Sequence, residues 1–366
     1  MLEGAEGVGR ELRGVAAGGE PGVVNRKLLG ALAERGLLGR VFRRGGGGEF
    51  VPTSAVELCL VREGLARYCT EAETALAVQG LGAYPIVRAG RTEVIQEWVP
   101  RVAAGEVAAG FALTEPEAGS DVASLALRAE RDGDGFRLSG EKTFISNAPD
   151  ADIYSVFART SDAGSKGITA FAVPRASEGL SGERIALVSP HPIGRLRFDR
   201  VFVPESHVLG EVDGGMRVAM RTLDLFRPSV GAFAVGMGQA ALDAAVTHAA
   251  GRVAFGRRLS EFQAVSHQLA EVAARLQAAR LLVHDAATAY DSGAGRTGHL
   301  SAMAKLFATE TAQFAVDTAI QVHGARALER GHLLEHLYRE VRAPRIYEGA
   351  TEIQREIIAR HLFRGR

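Results

Sequence analysis

Asp132-Gly133-Asp134-Gly135-Phe136-Arg137-Leu138-Ser139-Gly140-Glu141-Lys142-Thr143-Phe144-Ile145-Ser146 is the stretch that rules out an all-helical chain. Its Asp-Gly repeat is a tight-turn signal, and the β-branched and aromatic run behind it predicts a strand over 136–146. Three similar runs follow, Ile153–Arg159, Ile168–Pro174 and Arg195–Val203. Strands this short and this closely spaced predict a compact antiparallel sheet domain over 108–211.

Outward from that sheet the pattern is helical on both sides. Residues 1–107 read mainly as helix; Ser54-x-x-Glu57 has the form of a capping box, with Leu58, Val61 and Leu65 on one face. The Gly45–Gly48 run has no strand-to-helix context, so it reads as a turn and not as a phosphate cradle. After Gly214-Gly215 the helical period returns. Val265, Leu269, Val272, Leu276, Ala279 and Val283 alternate by four and three, a seam suited to a helix bundle. The expected fold is mainly α with a central β domain: 1–107 helical, 108–211 β, 212–366 a helical bundle.

Composition narrows the function classes. The 366 residues are 46% hydrophobic and 23% charged, with 43 basic and 43 acidic side chains. No net field draws such a chain to nucleic acid or an anionic membrane. Cys59 and Cys69 lie in one apparent helical stretch, about 15 Å apart at 1.5 Å per residue, too far to bridge, and with no CxxC or Cys/His cluster a zinc site is not expected. The N-terminus lacks the basic and apolar regions of a secretory signal, and no uninterrupted apolar run reaches membrane-spanning length. The expectation is a cytoplasmic protein with no metal and no membrane partner.

Three segments carry more than composition. Ala112-Leu113-Thr114-Glu115-Pro116-Glu117-Ala118-Gly119-Ser120-Asp121-Val122-Ala123-Ser124 lies at the changeover from helix to strand. Arg252-Val253-Ala254-Phe255-Gly256 is followed by Glu261-Phe262-Gln263, and Arg345-Ile346-Tyr347-Glu348-Gly349-Ala350-Thr351-Glu352-Ile353-Gln354 stands near the C-terminus. Each has a plain reading alone: a polar loop, a surface arginine, a capping glutamate. In this order and spacing they resemble the acyl-CoA dehydrogenase family. The resemblance covers nearly the whole chain, though the first hundred residues match in pattern more than in motif.

The resemblance implies FAD-dependent α,β-dehydrogenation of an acyl thioester. Glu348 would remove the α-proton and flavin N5 would accept the β-hydride, with a backbone N–H at the glutamate helping to bind the thioester carbonyl. Small residues at Ala118, Gly119 and Ser120 suit close approach to a pyrophosphate, and Thr114 and Ser146 supply hydroxyls to the ring. Phe144 stands where tryptophan is commoner. Arg252 and Gln263 would reach the FAD of a neighbouring subunit, arginine because its planar fork grips phosphate. Further cofactor contacts are implied at Phe111, Leu113, Phe255, Gln321, Gly324, Thr351 and Glu352. Substrate contacts are implied at Ser120, Asp224, Arg227, Tyr347 and Gly349. The alternative base position of some relatives, immediately before Arg227, holds Phe226 and cannot serve.

Some positions depart from the family pattern. Ala325 replaces the second glycine of Gln321-Val322-His323-Gly324, Ala350 replaces a common hydroxyl residue, and Val78–Gly82, which helps close the acyl pocket in relatives, is shortened. The implied partners are an acyl-CoA or acyl-carrier-protein thioester and an electron-transfer flavoprotein, in a homodimer or homotetramer. Competing readings are an acyl-carrier-protein dehydrogenase making polyketide extender units, an acyl-CoA oxidase, and a non-catalytic DNA-associated relative. The last needs a basic patch that the zero net charge does not offer.

Overall fold

The computed structural model describes residues 1–51, 53–293, 295 and 297–364. The chain begins with helices α1 (Leu2–Ala17), α2 (Arg26–Glu34) and α3 (Leu37–Val41), then strands β1 (Arg43–Arg44) and β2 (Phe50–Val51). Helices α4 (Ala55–Tyr68), α5 (Thr70–Ala89) and α6 (Thr92–Ala103) follow. The sheet strands are β3 (Ala109–Ala112), β4 (Arg128–Asp132), β5 (Gly135–Ser146), β6 (Ile153–Arg159), β7 (Ile168–Pro174), β8 (Leu180–Arg184), β9 (Ile193–Pro204) and β10 (Val208–Leu209). Helix α7 (Gly215–Gly251), hairpin strands β11 (Val253–Ala254) and β12 (Arg257–Arg258), and helices α8 (Gln263–Asp291), α9 (Gly298–His323), α10 (Leu333–Glu340) and α11 (Thr351–Leu362) complete the chain. The helical, β, helical order holds, with Gly45–Gly48 turning between β1 and β2.

These elements form two compact units. One contains residues 1–11, 54–73 and 224–366; the other contains 12–53 and 74–223. The second unit is built on the sheet, in the order β10-β7-β6-β4-β5-β9-β8, with β3 also paired to β6. Asp132 pairs with Gly135 across the Gly133-Asp134 turn, where Gly133 takes the positive φ such a turn requires. The expected antiparallel sheet needs correction at β6: β3 runs parallel to it along four residue pairs, and β4 meets it in parallel at Arg128 and Arg159. For β3, the physical reason is its entry directly from the helical segment, held by Gln79 of α5. Gln79 Oε1 accepts from Ala109 N at 2.8 Å, and its Nε2 donates to Val107 O at 2.9 Å. Tyr154, Phe157 and Phe171 are fully buried in the sheet unit. Each contributes on the order of 2–3 kcal/mol of apolar burial.

The helical unit packs α4 and the C-terminal part of α7 with α8 to α11. The predicted seam is buried at Leu269, Val272, Leu276, Ala279 and Val283, with Val265 at its half-exposed end. Glycines set the closeness of α7: a Cβ at Gly236 would meet Glu63 O of α4 at 2.4 Å, and one at Gly238 would meet Leu276 Cδ2 of α8 at 2.6 Å. Ser54 caps α4 as expected, accepting from Glu57 N at 3.1 Å. The Asp291 carboxylate adds two acceptors there, for Ala55 N at 2.7 Å and Val56 N at 3.1 Å. Cys59 and Cys69 are buried and form no disulfide, but Cys69 is not in a continuous helix: its extended backbone breaks α4 from α5. Helix α7 is long and apolar enough to cross a membrane by length and composition, yet 72% of its most apolar window is buried inside the protein.

Candidate active site

In the helical unit the candidate base sits on a short irregular link between α10 and α11. Glu348 and Gly349 both take positive φ, 52° and 94°. A glutamate there holds a conformation that costs about 1–2 kcal/mol, so its surroundings must fix it. They do so by gripping carbonyls. Lys305 of α9 donates to Tyr347 O at 3.0 Å and Gly349 O at 2.7 Å. Gln354 of α11 donates to Gly349 O at 2.7 Å and Glu348 O at 3.3 Å, and Arg227 Nε of α7 donates to Glu348 O at 3.3 Å.

With the backbone so held, the Glu348 carboxylate is left without a tether. Its Oε2 is out of solvent and has no hydrogen-bond partner among the described residues. Burial pushes the Glu348 carboxyl up from the usual range, while Arg62, Lys305 and Arg227 oppose that shift. Burial likewise brings the Lys305 amine down to about 8. The Glu348 N–H makes no hydrogen bond among the described residues, which leaves it available to an incoming carbonyl. A buried, unpaired carboxylate of raised basicity beside a spare N–H suits proton abstraction next to a carbonyl.

Asp224 and Arg227 form an ion pair at 3.2 Å, three residues apart on α7, and Phe226 between them is buried. Tyr347 is partly exposed; burial of its hydroxyl pushes its pKa well up. Thr351 opens α11 and donates to Glu310 at 3.0 Å, whereas Glu352 is exposed. Arg252, Gln263, Gln321 and Gly324 are all exposed. Gly324, and not Ala325, takes the positive φ, so the alanine is tolerated there. Phe255 stands at the tip of the β11–β12 hairpin with φ 51° and is 96% exposed.

In the sheet unit the first motif is pinned by a buried pair. Lys142 Nζ donates to Glu115 Oε1 at 2.7 Å and to Leu113 O at 2.9 Å. The Glu115 carboxylate also accepts from the backbone N–H groups of Ala126 and Leu127. Burial brings the Lys142 amine down to about 8 even against the attraction of Glu115. Arg159 ties the end of the segment through Ala123 O at 2.6 Å and Leu125 O at 2.9 Å. Leu113 is thereby buried and Thr114 half-buried, while Gly119 and Ser120 are exposed. Phe111 packs on Phe157 with ring centroids 4.9 Å apart. A register shift between Lys142 and Ile145 gives Phe144 a φ of 54° and turns its ring outward, 55% exposed, with Ser146 half-buried two residues on.

These observations fit a flavin dinucleotide. An apolar ring presented outward on a strained bulge offers a flat contact, and Gly119 has open space where a Cβ would stand. Arg252 and Gln263 supply exposed donors of the kind phosphate requires.

Sequence reading missed the residues that hold the site, namely Lys142, Lys305, Gln354 and Arg62. A lysine at position 305 inside the apolar run Ala302–Ala308 was an available signal, since lysine is almost never fully buried without a partner. It also missed a histidine cluster beside Gly324. His248 and His323 stack at 4.2 Å, and His332 lies 5.6 Å from His323. Burial, then neighbouring positive charge, pulls the pKa of His248 down.

Comparison with known proteins supplies the identity. Residues 9–106 match the N-terminal domain, 110–201 the middle domain and 213–363 the C-terminal domain of acyl-CoA dehydrogenase. The chain is 34% identical to cyclohexane-1-carbonyl-CoA dehydrogenase of Geobacter metallireducens over 94% of this chain and 90% of that one. It is also 34% identical to subunit CarC of the caffeyl-CoA reductase–Etf complex of Acetobacterium woodii, over 93% of this chain and 90% of that one. Among solved structures, PigA in complex with FAD superposes with a TM-score of 0.91 at 25% identity, covering 99% and 96% of the two chains. Fold and matches together define a FAD-dependent oxidoreductase acting on CH–CH bonds. The chain belongs to the acyl-CoA dehydrogenase family.

Proposed function

We propose that this protein oxidises an acyl-CoA thioester across its α,β bond, with Glu348 as the base. The family's reaction is FAD-dependent dehydrogenation of acyl thioesters, and the residue roles that follow are our reading of this chain. The observation that carries the reading is the Glu348 carboxylate, with Oε2 buried and unpaired on a backbone held by three side chains. FAD, when bound, supplies the acceptor for the hydride that leaves Cβ. Glu348 takes the proton from Cα. Its N–H, unbonded among the described residues, receives the thioester carbonyl and acidifies that proton. Arg227 and Lys305 fix the loop so that base and N–H keep their relation during the transfer. Phe144, Thr114, Ser146, Gly119 and Ser120 would hold the flavin and pyrophosphate.

Residues 1–107, 108–211 and 212–366 serve as its three domains in this reading. The active assembly is a homodimer or a pair of dimers, with Arg252, Phe255 and Gln263 serving a neighbour's FAD. The 96% exposure of Phe255 at a hairpin tip beside the exposed Arg252 supports association, since a large aromatic left that bare suits contact with a neighbour. Electrons then pass to an electron-transfer flavoprotein, as the name of the Acetobacterium relative suggests for that complex.

The test is Glu348→Gln. Gln keeps the shape and lacks the basic lone pair, so FAD content should hold. Anaerobic bleaching by a substrate of the wild type should slow by about 10² to 10⁴. Bleaching at the wild-type rate would remove Glu348 from the role of base.

A further inference from the structure

The ends of three helices bring basic groups together beside Gly324. His248 lies in the last turn of α7, His323 ends α9, and His332 caps α10; all three are half-buried. The His248 and His323 rings stack at 4.2 Å, and the His332 ring meets His323 edge-on at 5.6 Å. Arg252 follows α7 directly, its N–H donating to His248 O at 2.8 Å. Arg326 stands in the tight turn Gly324–Leu328 that leads from His323 toward His332. Both arginines are exposed, and their side chains make no ion pair among the described residues. Burial lowers the pKa of His248 most, followed by the positive charge of His323, Arg252, Arg326 and His332. Burial also lowers that of His323, its bond to Ala319 O opposes the fall, and His332 adds to it. No carboxylate acts on either ring, so the cluster carries positive charge without a counter-ion.

Hydrogen bonds fix two of the three tautomers. Ala319 O can only accept, so His323 Nδ1, 2.8 Å from it, carries a proton and Nε2 alone can take another. Leu334 N donates to His332 Nδ1 at 3.2 Å, which places the His332 proton on Nε2. Protonating His332 Nδ1 would break the α10 cap, so the groups free to gain charge are His248 and His323. Resting on the dehydrogenase reading above, in which Arg252 serves a neighbour's FAD, we infer that His248 and His323 extend that diphosphate site and hold FAD more tightly when protonated. Two touching imidazoles beside two arginines are costly to charge while no anion is near. A diphosphate, doubly negative, reverses that field and favours the protonated rings. The rings then have a higher pKa with FAD bound than without it. The added affinity is therefore present below the bound-state pKa and is lost as pH rises through it.

The experiment follows FAD release from diluted holoenzyme by the fluorescence of the freed flavin, at one ionic strength, at about pH 6 and about pH 8. Release from the wild type should be about three- to tenfold slower at the lower pH. The double variant His248→Gln/His323→Gln keeps Arg252 and the His332 cap, and its two rates should agree within about twofold. Wild-type release that is independent of pH, or faster in acid, overturns the inference. A double variant that retains the whole pH difference overturns it as well and leaves the stacked rings a structural role. Arg252→Ala should release FAD faster at both pH values; release at the wild-type rate would take the diphosphate away from this cluster and overturn the inference too. None of these failures touches the dehydrogenase reading, which anaerobic bleaching by a thioester panel decides separately. The wild-type series needs no variant, so a double variant that fails to fold leaves the inference testable.

Discussion

At the residue scale, Glu348 pairs two costs with one use. Its backbone lies in the left-handed region and its carboxylate Oε2 is buried without a hydrogen-bond partner among the described residues, both of which destabilise the fold. Glu348→Gln should therefore leave thermal stability equal to or above that of the wild type while removing turnover. A lowered melting temperature with retained activity would contradict this. The raised carboxyl also fixes the sign of the pH dependence. The base works only when ionised, and burial holds its pKa above the ordinary 4.5. The flavin-reduction rate should rise with pH through a limb displaced above 4.5 and fall as the medium is acidified through it. That limb should be missing from the residual rate of Glu348→Gln. Stopped-flow bleaching across a pH series reads it directly.

At the element scale, charged side chains buried at strand and helix positions hold the two motif segments in place. Strand β5 carries Lys142 inward to neutralise Glu115, and Glu115 organises the loop that leads to Leu127. Lys142→Met would leave Glu115 buried and uncompensated. It should cost about 3–5 kcal/mol in urea unfolding and reduce FAD retention. A loss below 1 kcal/mol would show the pair to be dispensable. Helix α8 ends in Asp291, whose carboxylate caps α4. Asp291→Ala should cost about 1–2 kcal/mol, measured the same way, and leave FAD content unchanged. These two variants separate support of the flavin segment from general helix stability.

At the scale of the whole molecule, the predictions concern assembly. Arg252 is exposed immediately before the β11–β12 hairpin, so Arg252→Ala removes a phosphate donor and no core volume. FAD retained after gel filtration should drop while urea stability of the apoprotein stays within about 0.5 kcal/mol. Sedimentation should give a dimer or tetramer, and a monomer with full FAD occupancy would count against the shared-site reading.

The sequence by itself determined the order of helical, β and helical segments, the strands at 153–159 and 168–174, the α8 seam and the three motif segments. Those signals are local: turn residues, period and short motifs fix backbone preference within a few residues of themselves. Only the tertiary structure decided that β3 joins the sheet parallel to β6, because that pairing depends on Gln79, thirty residues earlier, meeting Ala109. The outward turn of Phe144 likewise follows from a bulge set by the register against β9, which residue 144 alone does not encode. The state of Glu348 depends on Arg62, Arg227 and Lys305, drawn from three helices far apart in the chain. Burial and charge at one atom are sums over neighbours in space, and sequence spacing carries no record of them.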